Sequence, residues 1–131
     1  MRNVECGVRN VECGMHNADL KERTRAFALA VIKLVESLPH NRTADVIGKQ
    51  LLRCGTSVGS NYRAACRARS QAEFVARMGI VEEEADESSY WIGLLVDAGT
   101  LQKTSVQQLL GEANELVAIA VASAKTARGC R

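Results

Sequence analysis

Between Phe74 and Leu95 the side chains Phe74, Met78, Val81, Ala85, Ser88, Ile92 and Leu95 recur at alternating steps of four and three residues. That spacing collects them on one face of an α-helix but scatters them over both faces of a strand, so this segment buries its apolar side only as a helix. Three further segments carry the same rhythm: Leu20, Thr24, Phe27, Val31, Leu34 and Leu38; Ile47, Leu51, Cys54, Val58, Asn61 and Ala65; and Leu109, Ala113, Leu116, Ala120 and Ala124. The single proline, Pro39, falls with His40 and Asn41 between the first two segments and ends the first helix. Candidate caps are Asp19, Thr43, Ser70 paired with Glu73 in the capping-box pattern SQAE, and Ser105 paired with Gln108. The second helix is expected to run to about Ala68, and Gly99 is a natural stop for the third. Four seams with heptad-like spacing and short connections predict an all-α fold, an antiparallel up-down-up-down four-helix bundle.

At 131 residues and 47% hydrophobic content the chain suits one domain, expected over residues 18–128. Ahead of it, VRNVECG repeats MRNVECG in six of seven positions. The copies are too short for a coiled coil, and Cys6 and Cys13, seven apart with only His16 nearby, make a poor zinc site. Residues 1–17 therefore read as a duplicated, disordered and dispensable tail. Five scattered cysteines (Cys6, Cys13, Cys54, Cys66, Cys130) read as reduced thiols. No apolar run is long enough to cross a membrane and no signal peptide opens the chain, so a soluble, cytoplasmic protein is expected.

The stretch RCGTSVGSNYRAACRARS is poor helix sequence, crowding Gly55, Thr56, Ser57, Gly59, Ser60 and Asn61 into seven positions. Each glycine costs about 1 kcal/mol against alanine in a helix, so something must offset it. Gly55 and Gly59 share a face and permit a close helix crossing, while Ser57 and Asn61 present polar groups together. Arg53 stands beside this seam, and Glu84 and Glu87 beside the next. Arg53, Ser57, Asn61, Glu84 and Glu87 thus form a candidate structural polar cluster that fixes the register of the two helices. Trp91 and Leu94, with a second stripe of Leu110, Val117 and Val121, supply more apolar surface than one bundle interior requires, which points to self-association, the alternative being a wide core stripe of the ordinary globular kind.

Net charge is only +2, but its distribution is uneven. Lys49 to Arg77 holds six bases and one acid, Glu73, whereas Met78 to Gly99 holds six acids and no base. A di-iron centre needs Glu-x-x-His pairs on two helices, and the only histidines are His16 and His40. GTSVGSN lacks the Lys-Ser/Thr ending of a phosphate loop, and no histidine accompanies Cys54 or Cys66 to make a nucleophile. No catalytic residue, metal site, cofactor or small-molecule substrate is expected, and the chain does not read as an enzyme.

Several elements occur in order over about fifty residues: Leu52-Arg53, Ser57-Val58 with Asn61, Arg69-Ser70 with Glu73-Phe74, and Glu84, Glu87 and Tyr90-Trp91. In these the chain resembles the bacterial four-helix-bundle family of proteins encoded by intervening sequences within 23S ribosomal RNA genes, a family similar in fold to the accessory protein of diversity-generating retroelements. The resemblance spans roughly residues 19–126 and departs from the family at Tyr62-Arg63-Ala64-Ala65, where many relatives have Ala-Glu-Gly after the asparagine. It implies a homo-oligomeric ring, a pentamer, and a relative that binds nucleic acid through a basic surface. The expected function is thus non-enzymatic binding of RNA or DNA by Arg63, Arg67, Arg69 and Arg77. The alternative is a protein-interaction scaffold whose arginines pair with its own Glu82, Glu83, Asp86 and Glu87. Arginines projecting together into solvent favour the first reading.

Overall fold

The computed structural model describes residues 17–129, which form α1 (Asn17–Glu36), α2 (Arg42–Cys66), α3 (Gln71–Asp97) and α4 (Lys103–Gly129). Side-chain registers show consecutive helices running antiparallel. Gly48, Gly55 and Gly59 of α2 face Leu38, Val31 and Thr24 of α1, and Arg53 and Asn61 of α2 reach Glu87 and Arg77 of α3. Gln71 at the start of α3 donates from Nε2 to the Ala127 carbonyl at the end of α4. No helix among the described residues is long and apolar enough to cross a membrane. The tail expected over residues 1–17 lies outside the described residues except for Asn17, which begins α1.

Helix ends follow local chemistry, with adjustments. The side chain of Asn41, and not that of Thr43, caps α2 by accepting the Ala44 N–H at 2.9 Å; Asn41 is in extended backbone after Pro39, which orients its carbonyl over the first turn. Asp19 lies inside the first turn of α1, where a negative charge complements the helix dipole. Ser70 caps α3 as its motif predicts, accepting the Glu73 N–H at 3.0 Å, while the Glu73 carboxylate accepts the Arg69 N–H at 3.1 Å in place of that of Ser70. Because α4 starts at Lys103, Ser105 falls in its first turn and donates its hydroxyl to the Gln102 carbonyl at 2.8 Å, making no capping box with Gln108. Helix α2 stops at Cys66, short of Ala68, with the Arg67 N–H folding back to Ala64 and Ala65. At the end of α3, Gly99 adopts φ +82°. Its N–H bonds to the Val96 carbonyl and that of Thr100 to the Leu95 carbonyl, the paired closure that a left-handed residue makes possible.

All seven seam residues of α3 are buried, and Phe27, Val31, Leu51, Val58 and Leu116 meet them in the core. Tyr62, absent from the expected seam, is among the largest fully buried side chains. Helix α2 buries two stripes because it is clasped by α1 on one side and α3 on the other. Its small residues make the first contact: a Cβ on Gly55 would stand 2.7 and 2.8 Å from the two Cγ atoms of Val31, and one on Gly59 would stand 3.2 Å from the Thr24 Oγ1. The buried Thr24 hydroxyl is satisfied by its own helix, donating to the Leu20 carbonyl at 2.8 Å.

By contrast α1 and α4 meet along a thin seam. An open groove of about 650 Å³, with Phe27, Leu34, Leu101, Val106 and Leu109 in its lining, lies between them. Arg23 spans this seam. Its Nε and Nη2 donate to the two oxygens of Glu112 at 3.0 and 2.8 Å, and Nη2 also reaches Glu115 at 2.7 Å, raising the guanidinium pKa further through those hydrogen bonds.

Candidate functional site

The glycine-serine stretch is a continuous part of α2, and its polar side chains mostly serve their own backbone. Thr56, Ser57 and Ser60 donate their hydroxyls to the carbonyls of Leu52, Arg53 and Ser57 at 2.7, 2.8 and 3.2 Å. Asn61 donates Nδ2 to the Ser57 carbonyl at 2.9 Å and accepts Arg77 Nη1 on its Oδ1 at 3.3 Å. Each donor is thereby committed inside the fold.

Farther along the same helix pair, Arg53 donates from Nη2 to Glu87 at 2.6 Å and from Nη1 to Glu84 at 3.3 Å. Trp91 Nε1 donates to the same oxygen of Glu87 at 3.0 Å, and the indole makes an edge contact with the Tyr90 ring at 5.1 Å between centroids. The Trp91 N–H, followed by Arg53, holds the Glu87 carboxyl below the ordinary carboxylate range. The Arg53 side chain is half exposed, so solvent screens its pairs and limits what they add to stability. Beneath it, the buried Ser88 donates to Cys54 Sγ at 3.3 Å. Burial pushes the Cys54 thiol pKa up, away from the thiolate a nucleophile requires.

The polar cluster makes a pH-dependent prediction. A carboxylate with a depressed folded pKa contributes stability above its unfolded value, and loses it as pH falls through the folded value. Emission from Trp91, the sole tryptophan, is expected to titrate at acid pH with a midpoint below that of an ordinary glutamate. In Arg53→Met the midpoint should move up, since the Trp91 N–H alone then favours the charged form. A midpoint unchanged by the substitution removes Arg53 from the cluster.

At the end of the bundle where α2 turns into α3, the structure places the candidate arginines differently from one another. Arg63 and Arg67 lie one helical turn apart and are exposed, as is Arg69 in the connection. Arg77 is half-buried on α3 against Asn61. None of these four arginines makes an ion pair with Glu82, Glu83, Asp86 or Glu87, whereas Arg53 pairs with Glu84 and Glu87. Glu73, the one acid in the basic stretch, is occupied in capping α3. The result is three exposed guanidinium groups without an ion-pair partner, and a fourth, that of Arg77, half-buried against Asn61. No cluster of three or more His, Cys, Asp and Glu among the described residues is arranged to hold a metal ion. The Arg23 pairs with Glu112 and Glu115 escaped the sequence reading. Separations of 89 and 92 residues carry no local signal.

Among known proteins, one of unknown function from the S23 ribosomal protein family of Bacteroides thetaiotaomicron VPI-5482, solved by crystallography, matches with a TM-score of 0.76 at 30% identity, over 80% of this chain and 97% of that one. No curated protein matches. The family model described as 23S rRNA-intervening sequence protein matches residues 16–122, from the threshold of α1 well into α4. A match of that extent takes in both the polar cluster and the arginine surface, and the chain belongs to the family of 23S rRNA-intervening sequence proteins.

Proposed function

We propose that this protein is a non-enzymatic, self-associating bundle of the cytoplasm that binds nucleic acid, RNA foremost, through Arg63, Arg67 and Arg69, with Arg77 at the edge of the contact. The observation that carries this reading is the exposure of three neighbouring guanidinium groups with no carboxylate partner. Guanidinium forks match phosphate oxygens in geometry and remain charged at any physiological pH. A scaffold whose arginines serve its own acidic helix needs ion pairs that this geometry lacks.

Self-association is supported by exposed Leu29, Val46, Leu52, Tyr90 and Val121, apolar surface of the kind that subunit contacts cover. A closed ring of five, the expectation carried by the family resemblance, repeats the cluster around an axis and joins modest patches into one band. Phosphate affinity grows with the number of charges engaged together, so low net charge per chain is no obstacle.

The test is binding of fluorescent RNA and DNA to the assembled protein across a salt series, beside the variant Arg63→Ala/Arg67→Ala/Arg69→Ala. Wild-type affinity is expected to fall linearly on a log-log plot against salt. The triple variant should bind on the order of a hundredfold more weakly at low salt, with a slope shallower by roughly one for each phosphate no longer neutralised. Absence of binding at low salt from a correctly assembled oligomer would overturn the proposal.

A further inference from the structure

We infer that the ligand of the arginine surface is the phosphate backbone of a double helix, held without base stacking and without reading of base edges. The inference rests on the nucleic-acid reading above and names the class of nucleic acid. Three features of the surface support it.

The first is the placement of aromatic rings. Proteins that hold single strands combine positive charge with aromatic side chains on which bases stack. The chain has five aromatic residues. Phe27, Tyr62 and Phe74 are sealed in the core at 2%, 1% and 0% exposure. Tyr90 and Trp91 lie on α3 thirteen and fourteen residues beyond Arg77, roughly 20 Å along the helix axis. There the indole N–H is held by Glu87, and the neighbouring carboxylates Glu84 and Glu87 repel phosphate. No ring stands among the arginines.

The second is the state of the polar side chains. Sequence is read in the grooves by side chains offering donors and acceptors to base edges. Thr56, Ser57, Ser60 and Asn61, the short polar side chains next to the arginines, have spent donors on carbonyls of their own helix, and Asn61 has also given its acceptor oxygen to Arg77. Beside them, the free donors are the guanidinium groups and the hydroxyl of Ser70, whose oxygen accepts the Glu73 N–H.

The third is relief. Directly after Arg69 and the Ser70 cap, the first two turns of α3 expose Ala72 and Ala76, part of a shallow, open depression with Gln71 and Val75. A Cβ added to Gly79 would meet nothing within 4 Å. Open surface carrying small side chains suits a stiff cylinder more than a flexible strand that must be threaded and pinned. The duplex also presents the denser charge, one per about 1.7 Å of axis, and releases more counterion per phosphate neutralised than a single strand does.

The experiment compares a 20-base-pair RNA duplex, a DNA duplex of the same length and a 40-nucleotide unstructured single strand, which matches their phosphate count, each fluorescein-labelled and titrated into the full-length assembled protein at several salt concentrations. Both duplexes are expected to bind at least tenfold more tightly than the single strand, and scrambling the duplex sequence should change affinity by less than twofold. Trp91 emission should be unaffected by binding, and Tyr90→Ala should bind as wild type. The tighter of the two duplexes identifies whether RNA or DNA is the better source of this backbone. Single-strand binding as tight as duplex binding, or quenching of Trp91, overturns the duplex inference and leaves nucleic-acid binding intact. Failure of all three probes to bind overturns the nucleic-acid reading itself, which separates the two failures.

Discussion

Tyr62→Ala is expected to destabilise the bundle by about 3–5 kcal/mol, the range for truncating a large buried aromatic. The ring is 1% exposed and belongs to the central cluster with Phe27, Phe74 and Leu51. Its removal leaves a cavity that two helices can close only by sliding, and the interlocked glycine face of α2 resists such sliding. For a domain of this size the loss corresponds to a fall in Tm of at least about 12 °C, measurable by far-ultraviolet circular dichroism. A fall below about 3 °C would show that the site collapses freely and that Tyr62 is peripheral. The result bears on function as well, because Tyr62 immediately precedes Arg63 and its burial fixes the outward direction of that arginine's turn.

The second large effect is a contrast between Gly55, on the close-crossing face of α2, and Gly79 of α3. Gly55→Ala introduces a Cβ at 2.7 Å from a methyl of Val31, whose β-branched side chain has one favoured rotamer in a helix and little room to yield. Overpacking of this kind costs about 1–3 kcal/mol, against a propensity gain of about 1 kcal/mol, so the net effect is destabilising. Gly79→Ala meets open space and keeps the gain, stabilising the fold by up to about 1 kcal/mol. Urea midpoints of the two variants should therefore shift in opposite directions. Combining Gly55→Ala with Val31→Ala is expected to cost less than the two single substitutions added together, because each relieves the other. Additive costs would mean that the α1–α2 crossing is looser than the structure describes.

Much of this architecture follows from short-range chemistry. The α3 seam is local because a stripe repeating every three to four residues has one way to be buried, and all seven of its members are. The Ser70 cap and the Gly99 stop are local too, since each depends on side-chain reach or backbone freedom within a few residues. The other starts slipped by one turn or less. Asn41 and Thr43 are both competent caps, and only the path of the chain after Pro39 selects between them. On α2 a single-stripe reading found Cys54 and Ala65 but passed over Tyr62, because a helix clasped on two sides buries a wider arc than one seam describes.

The candidate site divides along the same line. Spacing in the sequence puts Arg53 beside one seam and Glu84 and Glu87 beside the next, and antiparallel pairing of consecutive helices brings such flanks together. Whether Arg63 turns outward or toward the acids of α3 is a matter of helix rotation by some tens of degrees, and Arg67 and Arg69 follow the path of the chain after α2 stops at Cys66. Periodicity cannot resolve that angle; the wedge of Gly55 and Gly59 against Val31 and Thr24 sets it. Charge content and helical rhythm were thus written in the chain itself, since each is a property of neighbouring residues. The free arginine surface, and the Arg23 tie across 89 residues to Glu112, came only with tertiary packing, because side chains on different helices acquire a distance only once the helices have docked.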